Sequence, residues 1–221
     1  TFFAAFLFLS GTTLITLLAA ISANANDQAY LKNAFISETA VNIIASVTYY
    51  YFMIYLYADK LTLENVTSIR YLDWAFTTPL LLISFVLFTG YSSKRGQGLD
   101  FQPLIYIIVL NLGMLLFGYL GEIKKYDFYG CLVLGFICYA LLMYFLYDKY
   151  VRDEDDDAKI LYGIFLALWG FYGIAYLLPI RSKNIAYNIL DLISKAGFGV
   201  FMWLSMVTQD PRQEIATRRV T

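Results

Sequence analysis

Histidine is absent from the 221 residues, and cysteine occurs only twice. Without histidine there is no Ser-His-Asp or Cys-His arrangement and no histidine-based metal site. Hydrolase and oxidoreductase chemistry lose most of their usual parts, so neither an enzyme nor a metal protein is expected. Cys131 and Cys138 stand seven residues apart on one expected helix, too far along its axis to bridge to each other, and read as packing residues. Charge is scarce as well. Only 15% of residues are charged and the net charge is −1, and no nucleic-acid partner is expected.

What is present is apolar. Hydrophobic residues make up 60% of the chain and aromatic residues 19%. Apolar runs of about 20 residues, the length that crosses a bilayer as a helix, recur at about 2–24, 34–58, 68–91, 103–122, 128–148, 159–180 and 185–207. The expected fold class is an all-α membrane protein, a seven-transmembrane helix bundle. It fills residues 1–221 as a single domain, has the lipid bilayer as its surroundings and leaves no room for a soluble domain. The first run contains Ser10, Thr12, Thr13 and Thr16 and has no basic segment before it, so it reads as a spanning helix rather than a cleavable signal. Residue 1 is not Met, which leaves room for further sequence ahead of it.

Lysines and arginines in the connections and tail divide nine to five. Lys32, Lys94, Arg95, Lys149, Arg152, Lys159, Arg212, Arg218 and Arg219 fall on one side, and Lys60, Lys124, Lys125, Arg181 and Lys183 on the other. The positive-inside bias then places the C-terminus in the cytoplasm and the N-terminus outside.

The seventh run carries Lys195 near its middle. A lysine at that depth costs roughly 2.5–3.5 kcal/mol on insertion scales, so it is expected to be paired, hydrated or chemically altered. Asp191 lies one turn earlier on the same face. Desolvation favours the uncharged amine, a nucleophile that condenses with aldehydes. A structural Lys–Asp pair and a chemically modified lysine both fit this stretch alone.

The third run reads Arg70-Tyr-Leu-Asp73-Trp74-Ala-Phe-Thr77-Thr78-Pro79 and continues to Ser84. Arg70, Asp73, Thr77 and Ser84 fall at i, i+3, i+7 and i+14, which lines a cation, a carboxylate and two hydroxyls along one face. Pro79 removes a backbone hydrogen bond inside the span, which membrane helices tolerate where neighbours satisfy the freed group. In the second run Glu38, Asn42, Ser46 and Tyr49 form a polar stripe. Glu38 is expected about one turn in from the cytoplasmic side, either solvated at the interface or at the mouth of a proton or ion path. Only one of Tyr49, Tyr50 and Tyr51 is expected to reach the interior. Asp148 to Asp157 is an acidic run between the fifth and sixth spans, expected as a solvated surface or a cation-attracting one.

The Arg-Tyr-x-Asp-Trp-x-Phe-Thr-Thr-Pro run of the third span, taken with Asp-x-x-x-Lys in the seventh, resembles the microbial rhodopsins, and the likeness covers essentially the whole chain. The resemblance implies all-trans retinal bound covalently to Lys195 as a protonated Schiff base, with Asp73 and Asp191 as counterions. Arg70 is implied as their support, with Thr77 hydrogen-bonded near Asp73. By the same likeness the retinal pocket includes Tyr49, Trp74, Thr78, Leu81, Met114, Gly118 and Gly135, together with Trp169, Tyr172 and Tyr176 on the sixth span. Gly173 stands where the family pattern has proline, and Tyr176 where it has a second tryptophan. Family members assemble as trimers or pentamers, so a homo-oligomer is implied.

Asp73 and Thr77 match the outward proton pumps of the family, with protons as the transported ion. The third motif position is Ser84 where those pumps commonly have an acid. An Asp-Thr-Ser triad resembles that of rhodopsins from marine viruses. Serine does not donate a proton near neutral pH, so reprotonation is expected from water or from another acid, for which Glu38, with Asn42 beside it on the cytoplasmic path, is the candidate. Eight positions before Asp191 stands Lys183, where bacteriorhodopsin has a glutamate, which removes an equivalent release group. A light-gated cation channel and a sensory photoreceptor stand as alternatives.

Overall fold

The computed structural model describes residues 1–23, 28–92, 100–154 and 156–218, and from 209 onward the backbone alone. Lys94, Arg95, Asp155 and Arg219, and the side chains of Arg212 and Arg218, which entered the charge patterning, lie outside the described residues. The elements are α1 (Phe2–Ser22), α2 (Ala29–Tyr57), α3 (Leu63–Ser92), α4 (Gln102–Glu122), α5 (Phe128–Tyr150), α6 (Asp156–Ala175), α7 (Ile180–Asp191), a π-helical segment (Leu192–Gly197) and α8 (Phe198–Arg218). The last three run on as one seventh rod, so among the described residues seven rods are long and apolar enough to cross a membrane. No strand occurs among the described residues.

Local chemistry sets the rod ends. α3 starts at Leu63, earlier than the apolar run, because Thr62 caps it: the Thr62 hydroxyl accepts from the Asn65 amide at 3.3 Å, and Asn65 Oδ1 accepts in return from the Thr62 amide at 3.3 Å. Asp127 caps α5 by accepting from the Gly130 amide at 2.6 Å. α6 stops at Ala175 rather than near residue 180, because Pro179 disfavours helix at the residue before it and itself caps α7. Asp59 and Lys124 take positive φ just past the ends of α2 and α4, which lets Lys60 and Lys125 close on carbonyls five residues back.

Each rod packs on the next around a ring, and the seventh returns to α1. α3 is the innermost: 67% of its apolar window is buried, against 28% for α4, α5 and α6. Its polar face therefore has the seventh rod opposite it, and no solvent. Where α1, α2 and the seventh rod meet, Gly199 has no room for a side chain. A Cβ there would lie 2.9 Å from Thr12 Cγ2 and 3.0 Å from Thr16 Cγ2.

Candidate functional site

Lys195 sits within the π-helical segment and is 1% exposed. A π turn inserts one residue into the helical count and is found mostly at functional positions. Lys195 Nζ donates to Asp73 Oδ2 at 2.6 Å and lies 3.6 Å from Asp191 Oδ1. Arg70 completes the group, with Nη1 donating to Asp191 Oδ2 at 3.2 Å. Two cations thus face two carboxylates, and burial of four charges is balanced by their pairing.

The carboxylates are unequal. Asp191 accepts from Tyr49 Oη at 2.7 Å and Arg70 on Oδ2, and from Trp74 Nε1 at 3.0 Å and Tyr172 Oη at 2.7 Å on Oδ1. Asp73 accepts from Lys195, Thr48 lies beside it, and among the described residues its Oδ1 has no hydrogen-bond partner. Thr77 does not reach the Asp73 carboxylate. Its hydroxyl bonds the Asp73 backbone carbonyl at 3.0 Å, the usual i−4 habit of a helical threonine.

Arg70 is held on every side. Nη1 donates to Tyr49 Oη at 2.8 Å, Nη2 donates to Asn188 Oδ1, and Nε reaches Asn184 Oδ1 at 3.4 Å. The rings of Phe2, Tyr49, Phe52 and Tyr187 surround its guanidinium at 5.2–5.9 Å. Tyr49 is fully buried while Tyr50 and Tyr51 are exposed, and it belongs to this charged group rather than to a pocket wall.

On the other side of Lys195 is an apolar cavity. Of the residues expected around a chromophore, Trp74, Thr78, Leu81, Met114, Gly118, Gly135, Trp169, Tyr172 and Tyr176 line it, and Tyr49 does not. Tyr71, Leu115, Phe136, Tyr139, Gly173, Tyr187 and Ser194 line it as well. Gly118 serves Tyr71, whose ring would be 2.9 Å from a Cβ there, and Asn111 donates to Thr78 Oγ1 at 2.7 Å.

Glu38 is 0% exposed and more than two turns inside α2, so the solvated interfacial position is ruled out. α2 begins at Ala29, five residues ahead of the apolar run, and this carries Glu38 inward. Asn42 Nδ2 donates to Glu38 Oε1 at 3.0 Å, while Glu38 Oε2, Asn42 Oδ1 and Ser46 Oγ have no hydrogen-bond partner among the described residues. Ser84 is fully buried in the same half of the bundle and commits its hydroxyl to the Ala34 carbonyl at 3.0 Å. Lys183 is not in an exposed connection. It is 5% exposed within α7, and Nζ is 2.6 Å from Glu122 Oε1 at the end of α4.

The family model described as bacteriorhodopsin-like protein matches residues 3–209. The chain is 25% identical over 186 residues to the green-light absorbing proteorhodopsin of gamma-proteobacterium EBAC31A08, covering 75% of this chain and 73% of that one. The crystal structure of the viral rhodopsin OLPVRII is similar at a TM-score of 0.85 and 30% identity, over 94% of this chain and 96% of the other. The blue light-absorbing proteorhodopsin from Med12 shares the fold, with a TM-score of 0.75 and 22% identity over 95% of this chain and 96% of its own.

Proposed function

The chain belongs to the bacteriorhodopsin-like family of microbial rhodopsins, and from that premise we propose that it is a light-driven pump carrying protons out of the cell. As a member it is an integral, multi-pass membrane protein that binds retinal through a Schiff base to a lysine. The attachment point in this reading is Lys195, and the residues fit the group. Nζ borders an apolar cavity walled by Trp74, Leu81, Met114, Trp169 and Tyr172, and it faces Asp73 and Asp191. A cationic nitrogen at Nζ meets its countercharge in place, and an apolar polyene meets an apolar wall.

Held at Lys195, all-trans retinal would supply a light-driven isomerisation, which would turn the proton on Nζ relative to its acceptor. The chain's own residues then give that proton a direction. Asp73 Oδ2 is within 2.6 Å of Nζ and its Oδ1 has no hydrogen-bond partner among the described residues, whereas Asp191 already accepts four hydrogen bonds. The inequality between the two carboxylates is the observation that carries the proposal: Asp73 takes the proton and Asp191 stays charged. Arg70, fixed by Asn184, Asn188 and Tyr49, holds positive charge on the far side of Asp191 and keeps the site neutral overall.

Reprotonation of Nζ comes from Glu38 on the cytoplasmic side. Asn42 orients its carboxyl, and the unpartnered Asn42 Oδ1 and Ser46 Oγ lie one and two turns further along the same face. Such atoms bind internal water, which relays a proton between groups too far apart for a direct bond. Ser84 is structural in this scheme. A patch-clamp recording at an opposing voltage tests the proposal: outward photocurrent that persists against the gradient supports a pump, and current whose sign follows the membrane potential assigns a channel.

A further inference from the structure

The cavity beside Lys195 is unequally walled. Tyr71, Trp74, Leu81, Trp169 and Tyr187 are each at most 8% exposed, so other helices back them. Phe136 on α5 lines the same cavity and yet is 37% exposed on the outside of the bundle. One aromatic ring separates the interior from lipid at that point.

Opposite Phe136 on α6 stands Gly173. A Cβ at Gly173 would fall 2.4 Å from Phe136 Cζ and 2.8 Å from Cε2, so the ring tip occupies the place of the missing side chain. Above and below, the α5–α6 seam is tied. Tyr139 Oη donates to the Leu166 carbonyl at 2.5 Å, and Tyr162 Oη to the Met143 carbonyl at 2.9 Å. Towards the other end Tyr176 stacks on Phe128 at 4.4 Å and 14°. Between these ties no side-chain hydrogen bond joins α5 and α6 among the described residues. Parting the seam at Tyr139 or Tyr162 breaks a hydrogen bond that lipid does not replace. Rotating Phe136 out of the Gly173 notch breaks none.

The ends of the bundle are poor routes for an apolar molecule. One passes the buried Glu38 and Asn42, and the other passes Arg70 or the Lys183–Glu122 pair. We propose that Phe136, seated in the notch at Gly173, is the door through which the bilayer-dissolved polyene aldehyde reaches Lys195. The proposal rests on the retinal-binding reading above and adds where retinal enters and which side chain yields.

The test uses the full-length pigment in phosphatidylcholine vesicles, bleached with hydroxylamine, washed and supplied with all-trans retinal. Quenching of tryptophan fluorescence reports arrival beside Trp169, and growth of the visible band reports attachment. Phe136→Ala is expected to raise the quenching rate about tenfold, the change produced by lowering a barrier by about 1.4 kcal/mol. Phe136→Leu, which keeps an apolar plug of smaller size, is expected to fall between Phe136→Ala and the wild type. Leu134→Ala, exposed on α5 and outside the cavity lining, is expected to leave the rate unchanged. Wild-type uptake rates in both Phe136 variants, with the band forming fully, would overturn the door while leaving retinal binding intact. A wild-type protein that forms no visible band when first supplied with all-trans retinal, so that there is no pigment to bleach, would overturn both.

Discussion

At the scale of single residues, Asp73 and Asp191 share one lysine but hold very different numbers of donors, and this sets what their loss should do. Asp73→Asn removes the proposed acceptor, so light-driven proton movement is expected to cease while the pigment still forms, measured as pH change and visible absorption on one sample. Glu38→Gln removes the proposed donor, and recovery of the visible band after a flash is expected to slow by about a hundredfold, the lower range for loss of a general acid. Ser84→Ala deletes a hydroxyl that donates to the Ala34 carbonyl and lies beside Glu38 but carries no exchangeable acid, so recovery should slow far less than in Glu38→Gln. An unchanged recovery in Glu38→Gln would contradict the assignment of Glu38 as donor. Lys195, Asp191, Arg70 and Asp73 were legible in the sequence because helical spacing alone puts each pair on one face. Asn184, Asn188 and Ser194 were not. They act across helices, and spacing along one helix does not say how far a neighbour is rotated or displaced along its axis.

At the scale of elements, the seventh rod departs most from its sequence pattern. The run Leu192–Gly197 has no Pro to announce a break, and the π turn there packs against α1, α2 and α6. Gly199, one turn past Lys195, sits against Thr12, Thr16 and Glu38. Gly199→Ala is expected to cost about 1–3 kcal/mol through overpacking, read as an earlier loss of the visible band on heating. An unchanged midpoint would mean that α1 yields freely. The Lys183–Glu122 pair shows a second limit on sequence reading. Lys183 follows a proline and stands near the start of a helix, which reads as solvent-exposed, and its partner is 61 residues away. Lys183→Met leaves the half-buried Glu122 unpaired, so a loss of about 1–3 kcal/mol is expected. Replacing both partners by apolar residues should recover most of it, and a double variant no better than the single one would contradict the pairing account.

At the scale of the whole molecule, seven apolar runs were visible because a bilayer-length stretch of hydrophobic residues is a strong signal. Their closure into a ring was not, because apolar faces turned to lipid and to neighbours look alike in sequence. The cavity's composition was partly legible: the aromatic stripe of α6 and the Asp-Trp-x-Phe-Thr-Thr stretch of α3 supply much of its wall, whereas Tyr71, Leu115, Phe136, Tyr139 and Tyr187 complete it from faces that spacing alone does not orient. The polar groups divide the bundle into a Glu38 half and an Arg70 half, with the Lys195 group between them. A pump needs this division, since the proton must leave by one half and be replaced from the other. The most direct test is the light-induced pH change of an unbuffered suspension of cells expressing the protein and supplied with all-trans retinal, recorded with and without a protonophore. The account predicts acidification of the medium that the protonophore abolishes. A pigment that forms its visible band and moves no protons outward would contradict it.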